Sequence, residues 1–259
     1  MLEFQTIKQY FDPKLARMNP KGVLVEYLQY EFLDSIFKIS GSEKLSFIGG
    51  TAIRIVHENS RFSEDLDFDN FGLNFEDFKR LMDKACSEIK LKGFIIEIRF
   101  LQKEENYHCY VKFPYILFQA GISKDKNEKV FVSIDAESKK KILVPDYVSI
   151  NKFGVFRKIN VNPAPILLAQ KLLAVLLRKM EKGRDFYDSS FLAGKTKPDY
   201  DYIKNVTGLS KEEFKKEIVR RCGRLDYHLL ARDVAPFLFD ADQANRVLCF
   251  YENLSAILG

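Results

Sequence analysis

Apolar residues recur at Leu24, Leu28, Phe32 and Ile36, a spacing of four that predicts a helix over 23–37 burying one stripe. A short apolar run, 45–48, then ends at Gly49-Gly50-Thr51, and 52–57 reads as a helix. The order is strand, glycine turn, helix. Asp65-Leu66-Asp67-Phe68-Asp69 alternates acidic and apolar residues, the period of a half-buried strand. Asn74 stands as N-cap before a helical pattern that runs to Ile89, with Glu76 and Asp77 in its first turn and Lys92-Gly93 as its stop. Runs at 94–100, 107–118 and 130–134, rich in Ile, Val, Phe and Tyr, predict three more strands. Beyond Pro163 and Pro165 the pattern turns helical, over 164–179, 184–192, 211–221 and 241–258. Ser210-Lys211-Glu212-Glu213 is a capping box for the third of these. The expected fold class is α+β: a mixed central sheet flanked by helices over 1–160, and a helical domain over 161–259.

Composition narrows the setting. Of 259 residues, 46% are hydrophobic and 30% charged, which excludes a disordered chain. No apolar run reaches the roughly 18 residues of a membrane span. The longest, 166–177, contains Gln170 and Lys171. The first residues carry no signal-peptide pattern, and Cys86, Cys109, Cys222 and Cys249 are scattered without a C-x-x-C pair. Three isolated histidines add nothing to a zinc motif. A cytoplasmic protein without disulfides, zinc or membrane is expected. Net charge is +5, which permits a polyanionic partner without demanding one.

The chemistry is concentrated in a few places. In an extended strand Asp65 and Asp67 point to the same side. Two such carboxylates are tolerable chiefly beside a divalent cation, Mg²⁺ or Mn²⁺, shared with substrate phosphates. An isolated D-x-D is more often a solvated strand face, but here it follows a strand–Gly-Gly–helix unit. Gly49 and Gly50 would let the backbone approach a triphosphate, with a helix N-terminus aimed at it. Asp135, at the end of an apolar strand, would be the third carboxylate of a two-metal site. Glu137 points to the same face and is the alternative. Lys171 is the sole charge between 166 and 177; either it snorkels out of a core helix or, with Arg178 on the same helix face, it clamps nucleotide phosphates. Asp185 and Asp188 share a side of the next helix, where surface ion pairs with Lys182 or Arg184 would account for them.

Two blocks carry a specific resemblance. Ile48-Gly49-Gly50-Thr51-Ala52 with Arg61-Phe62-Ser63-Glu64-Asp65-Leu66-Asp67-Phe68, and Ala169-Gln170-Lys171-Leu172-Leu173-Ala174 with Arg184-Asp185-Phe186-Tyr187-Asp188, resemble the AbiEii/AbiGii-type nucleotidyltransferase toxins. That family belongs to the DNA polymerase β-like nucleotidyltransferase superfamily. The resemblance implies a minimal nucleotidyltransferase fold over 1–160, with the helical domain over 161–259 completing the active-site cleft. It implies transfer of a nucleoside monophosphate (NMP) from an NTP, with Mg²⁺, to an acceptor such as the tRNA 3′ end, and a cognate antitoxin in a toxin–antitoxin or phage-defence system. By carry-over, Gly49, Gly50, Thr51 and Ser63 contact phosphates, Asp65 and Asp67 hold metal, and Lys171 and Asp185 act from the second block. The superfamily's loop often has Gly-Ser; here it is Gly-Gly-Thr, with Thr51 keeping a hydroxyl after the turn.

The acceptor stays open between RNA and a protein hydroxyl. Lys139-Lys140-Lys141 and Arg220-Arg221 with Arg224 are the candidate RNA-facing clusters. Two non-enzymatic alternatives are a nucleotide-binding regulatory module and an interaction module whose acidic strand binds a basic antitoxin.

Overall fold

In the computed structural model, which describes residues 1–140 and 143–259, the alternating segments of the first part of the chain pair into one mixed sheet. Its seven strands are Leu45–Ile48 (β1), Leu66–Asn70 (β2), Glu97–Lys103 (β3), Asn106–Phe113 (β4), Val130–Ser138 (β5), Asp146–Lys152 (β6) and Val155–Val161 (β7). Their order across the sheet is β3-β4-β5-β2-β1-β7-β6. The β1–β7 and β2–β5 pairs are parallel; the other neighbours are antiparallel. Lys141, part of the expected basic run, lies outside the described residues.

Helices Phe4–Lys8 (α1), Pro13–Met18 (α2) and Pro20–Ile36 (α3) precede the sheet. Gly49–His57 (α4), Phe75–Leu91 (α5) and the short Ile116–Gln119 (α6) are set among its strands. The α5 helix starts as its cap predicts: the Asn74 side chain accepts from the Asp77 N–H at 2.8 Å. Its buried residues Phe78, Leu81, Met82, Ala85, Cys86 and Ile89 pack toward the sheet face that also buries Tyr107 and Cys109. The α3 helix differs from the single stripe expected of it. Glu26, Gln29, Glu31 and Asp34 are buried along with the apolar stripe. Distant cations make this possible: Lys152 reaches Glu26 at 2.7 Å, Lys92 reaches Glu31 at 2.5 Å, and Arg157 reaches Asp34 at 3.0 Å.

The run expected as a strand over 107–118 ends at Phe113. Pro114 cannot donate to a ladder, and Tyr115, with φ 64, turns the chain into α6. The β6–β7 hairpin is absent from the expected elements. It turns at Phe153-Gly154, both with positive φ (58 and 78), the conformation of a two-residue hairpin loop.

The rest of the chain is helical, as expected: Ala164–Leu177 (α7), Gly183–Ala193 (α8), Tyr200–Thr207 (α9), Lys211–Cys222 (α10), Tyr227–Val234 (α11), Asn245–Leu248 (α12) and Leu254–Leu258 (α13). The capping box at Ser210 and Glu213 is formed. The α9 and α11 helices go beyond the expected four, and the helix expected over 241–258 is broken into a 3₁₀ turn, α12 and α13. The chain divides into two compact units: Met1–Ala52, Phe62–Lys141 and Asp146–Val161 in the first, Ile53–Arg61, Ile142–Pro145 and Asn162–Gly259 in the second. Among the described residues no helix is long and apolar enough to cross a membrane. Cys86, Cys109, Cys222 and Cys249 are all free.

Candidate active site

In the first unit, β-sheet register decides which acids are neighbours. Asp67 on β2 has Ile48 as its partner on β1 and Asp135 as its partner on the parallel strand β5. Register partners stand side by side on the same sheet face, so the two carboxylates adjoin. Asp65, immediately before β2 and two residues from Asp67, extends the acidic set. Asp135 has His108 as its partner on β4. The His108 Nδ1 lies 2.6 Å from Asp135 Oδ1, and the Ser133 hydroxyl lies 2.9 Å from both Asp135 oxygens. Glu137, the alternative third carboxylate, is partnered with Asp69 instead of Asp67, and Lys139 donates to it.

The glycine segment is drawn tighter than a loop. The β1 strand ends at Ile48 and α4 begins at Gly49, so the expected turn is the helix's own first turn. Gly49 has φ 78, and a Cβ there would collide with the Asp67 carboxylate. Gly50 is buried in the same turn. The fully buried Thr51 donates its hydroxyl to the Asp65 backbone carbonyl, which fixes the acid's approach to β2. The Ser63 carbonyl accepts from the Gln29 side chain at 2.9 Å. Asp65, Asp67 and Asp135 offer oxygen donors only, the preference of a hard divalent cation that completes its shell with water and phosphate. Among the described residues, no three His, Cys, Asp or Glu side chains are gathered into a metal site by themselves.

The second unit holds an ionic cluster. Lys171, on α7, reaches Asp185 at 3.0 Å and Asp188 at 2.9 Å, both on α8. Arg178 closes on the other Asp185 oxygen at 3.2 Å. Arg61 grips Asp188 with two nitrogens, at 2.7 and 2.5 Å, and Asn59 donates to the same carboxylate at 2.8 Å. The expected surface pairing of Asp185 and Asp188 with Lys182 or Arg184 is therefore replaced by buried pairing. Both acids are buried, Asp188 completely. Burial alone would raise the Asp188 pKa, but Arg61 and Lys171 outweigh it and hold the carboxyl below its usual range. Burial would likewise lower Lys171, yet Asp188 and Asp185 hold its pKa above the ordinary lysine value. The expected RNA-facing arginines are partly engaged: Arg220 pairs with Glu217, and Arg221 with Glu181 and the Val175 carbonyl.

His108, Ser133, Arg61, Asn59 and Asp188 join these clusters without having been assigned a site role from sequence. Ser133 had a readable signal, two residues from Asp135 on the same strand face. His108 had none, because only the β4–β5 register brings it there.

The family model described as nucleotidyl transferase AbiEii toxin, type IV TA system, matches residues 31–246. The chain belongs to the AbiEii family. It is thus a nucleotidyltransferase, the toxin of a type IV toxin–antitoxin system, which sets aside the two non-enzymatic alternatives. No curated protein matches the sequence. Among solved structures, the fold is similar to that of the nucleotidyltransferase toxin MenT4 of Mycobacterium tuberculosis H37Rv. That match has a TM-score of 0.62 and 15% identity, covering 98% of this chain and 90% of that one. It is also similar to JHP933 of Helicobacter pylori, with a TM-score of 0.57 and 18% identity over 92% of each chain. The α+β fold with its helical C-terminal region is shared with MenT4, and both blocks that carry the resemblance, within 48–68 and 169–188, fall inside the matched residues.

Proposed function

We propose that this AbiEii enzyme transfers an NMP from an NTP to a hydroxyl of an RNA acceptor such as the tRNA 3′ end. The observation that carries the site is the register pairing of Asp67 with Asp135, with Asp65 two residues before Asp67. Those three carboxylates would hold Mg²⁺ or Mn²⁺ together with the NTP phosphates, and the ion when bound would neutralise and orient the triphosphate. Gly49 and Gly50 would admit the phosphates to the first turn of α4, whose N–H groups attract anions. Thr51, its hydroxyl given to the Asp65 carbonyl, would act by placing that acid, and Ser63 would add a phosphate contact beside it.

Asp135, steadied by His108 and Ser133, would take the proton of the acceptor hydroxyl. The freed oxygen attacks the α-phosphorus in line, the bond to the bridging oxygen breaks, and pyrophosphate leaves. In the helical domain expected from residue 161, Lys171, Arg178 and Asp185 would serve an anion. Their cluster, with Arg61 and Asp188, gathers Lys171 and two arginines around two carboxylates, and Arg178 is its exposed cation, the one that would meet a phosphate. A cognate antitoxin and a cytoplasmic setting go with this reading.

The test is incubation of the protein with each labelled NTP, Mg²⁺ and total RNA or lysate. Label is expected in RNA, and Asp67→Ala is expected to abolish it while circular dichroism shows a folded chain. Label appearing in protein alone would move the acceptor to a protein hydroxyl. Wild-type transfer by folded Asp67→Ala would remove the acid from the mechanism.

A further inference from the structure

We infer that the open face of β3, β4 and β5 is a stacking platform for the unpaired terminal bases of the acceptor RNA. The inference rests on the reading above, which brings the acceptor hydroxyl to Asp135. One face of these strands is closed by α3 and α5: Phe32 meets Phe113 and Phe78 meets Tyr107, with ring centroids 6.0 and 5.8 Å apart. The opposite face carries Asp135 and, leading away from it, a set of large flat side chains. His108, bonded to Asp135, has its ring nearly parallel to that of Tyr110, 6° apart in plane with centroids at 5.8 Å. Tyr110 is 38% exposed and Phe131, one step further along the same face of β5, is 63% exposed.

Exposed aromatic faces beside cations are a common means by which proteins hold unpaired bases. Successive positions on this face are two residues apart along a strand, about 7 Å, so the aromatic groups are stepped away from Asp135. Phosphates have cations to meet. Exposed Arg99 is the register partner of Tyr110, and Lys112 is that of Phe131. Lys112 pairs with Glu97, its register partner on β3, and Lys129 lies two residues before Phe131, so two cations accompany one carboxylate toward the end of the platform far from Asp135. A flat aromatic and basic surface suits bases and a phosphate backbone better than a single peptide hydroxyl, which would need a pocket for its side chain.

Two measurements on the full chain separate this inference from the reading beneath it. The first is fluorescence anisotropy with a labelled, unstructured oligoribonucleotide, without NTP or metal. Tyr110→Ala and Phe131→Ala should each weaken binding about tenfold, whereas Tyr110→Phe, which keeps the ring, should stay within about twofold of wild type. Because both side chains are exposed, the alanine variants should fold. Unchanged affinity in both alanine variants, or no binding by the wild type, would overturn the platform. The second is NMP transfer, in which Tyr110→Ala should raise KM for RNA and leave KM for NTP near its wild-type value. Transfer to RNA with unaltered KM in Tyr110→Ala would also overturn the platform while leaving the reaction intact. Label confined to protein would overturn both the acceptor and the occupant assigned to the platform.

Discussion

Arg61 and Asp188 are 127 positions apart in the chain, yet their side chains are 1% and 0% exposed and locked in a two-point contact. Removing charges from water is expensive, and the expense is recovered only if each polar atom finds a partner. Asp188 does: Arg61, Asn59 and Lys171 surround it. The cluster therefore reacts asymmetrically to mutation. Asp188→Asn leaves Arg61 and Lys171 with too little negative charge beside them and should cost about 3–5 kcal/mol, read as a lower urea midpoint. The double variant Arg61→Met with Asp188→Leu should lose less than the single one, since it removes a buried cation together with its anion. Equal or greater loss in the double variant would mean that the cluster's value lies in packing and not in charge pairing.

At the scale of elements, the α8 start offers a test with an inverted sign. Glycine to alanine in a helix ordinarily gains about 1 kcal/mol. At Gly183, however, an added Cβ would run into the Leu230 carbonyl of α11 and come within 3.3 Å of the Val234 nitrogen. Backbone atoms cannot swing aside as a side chain can. Gly183→Ala should lower stability by about 1–3 kcal/mol, and a thermal midpoint equal to or above wild type would contradict the close packing of α8 on α11. No sequence pattern announces that approach. What was legible were elements whose signals are local. The caps at Asn74 and Ser210 and the alternation at Asp65 to Asp69 gave α5, α10 and β2 nearly as they stand. The β6–β7 hairpin escaped because Phe153-Gly154 replaces the usual polar turn residues. The all-round burial of α3 depends on Lys92, Lys152 and Arg157, which no window around the helix contains. The candidate site divides in the same way: the i, i+2 acids were readable along one strand, and His108 became readable only from the pairing of two.

For the whole molecule, acid stability follows from one buried carboxylate in each unit. Burial would raise the Asp34 pKa, but hydrogen bonds from Lys38, Lys92 and Arg157 prevail and depress it; Asp188 is depressed in the same sense by Arg61 and Lys171. A group whose folded pKa lies below its unfolded value contributes stability above the unfolded value, about 3.9 for Asp, and loses it as pH falls through the folded one. Lys171, whose pKa is raised, behaves oppositely. Its contribution is complete below the unfolded lysine value of about 10.4 and is lost only as pH climbs through the folded one. The two directions together leave a plateau across neutral pH, bounded by an acid limb below about pH 4. Urea midpoints measured between pH 3 and pH 9 should trace that plateau and limb. Asp34→Asn and Asp188→Asn should each lower the plateau and flatten the limb, because an amide has no proton to gain. An acid limb as steep in both variants as in the wild type would assign acid unfolding to other carboxylates.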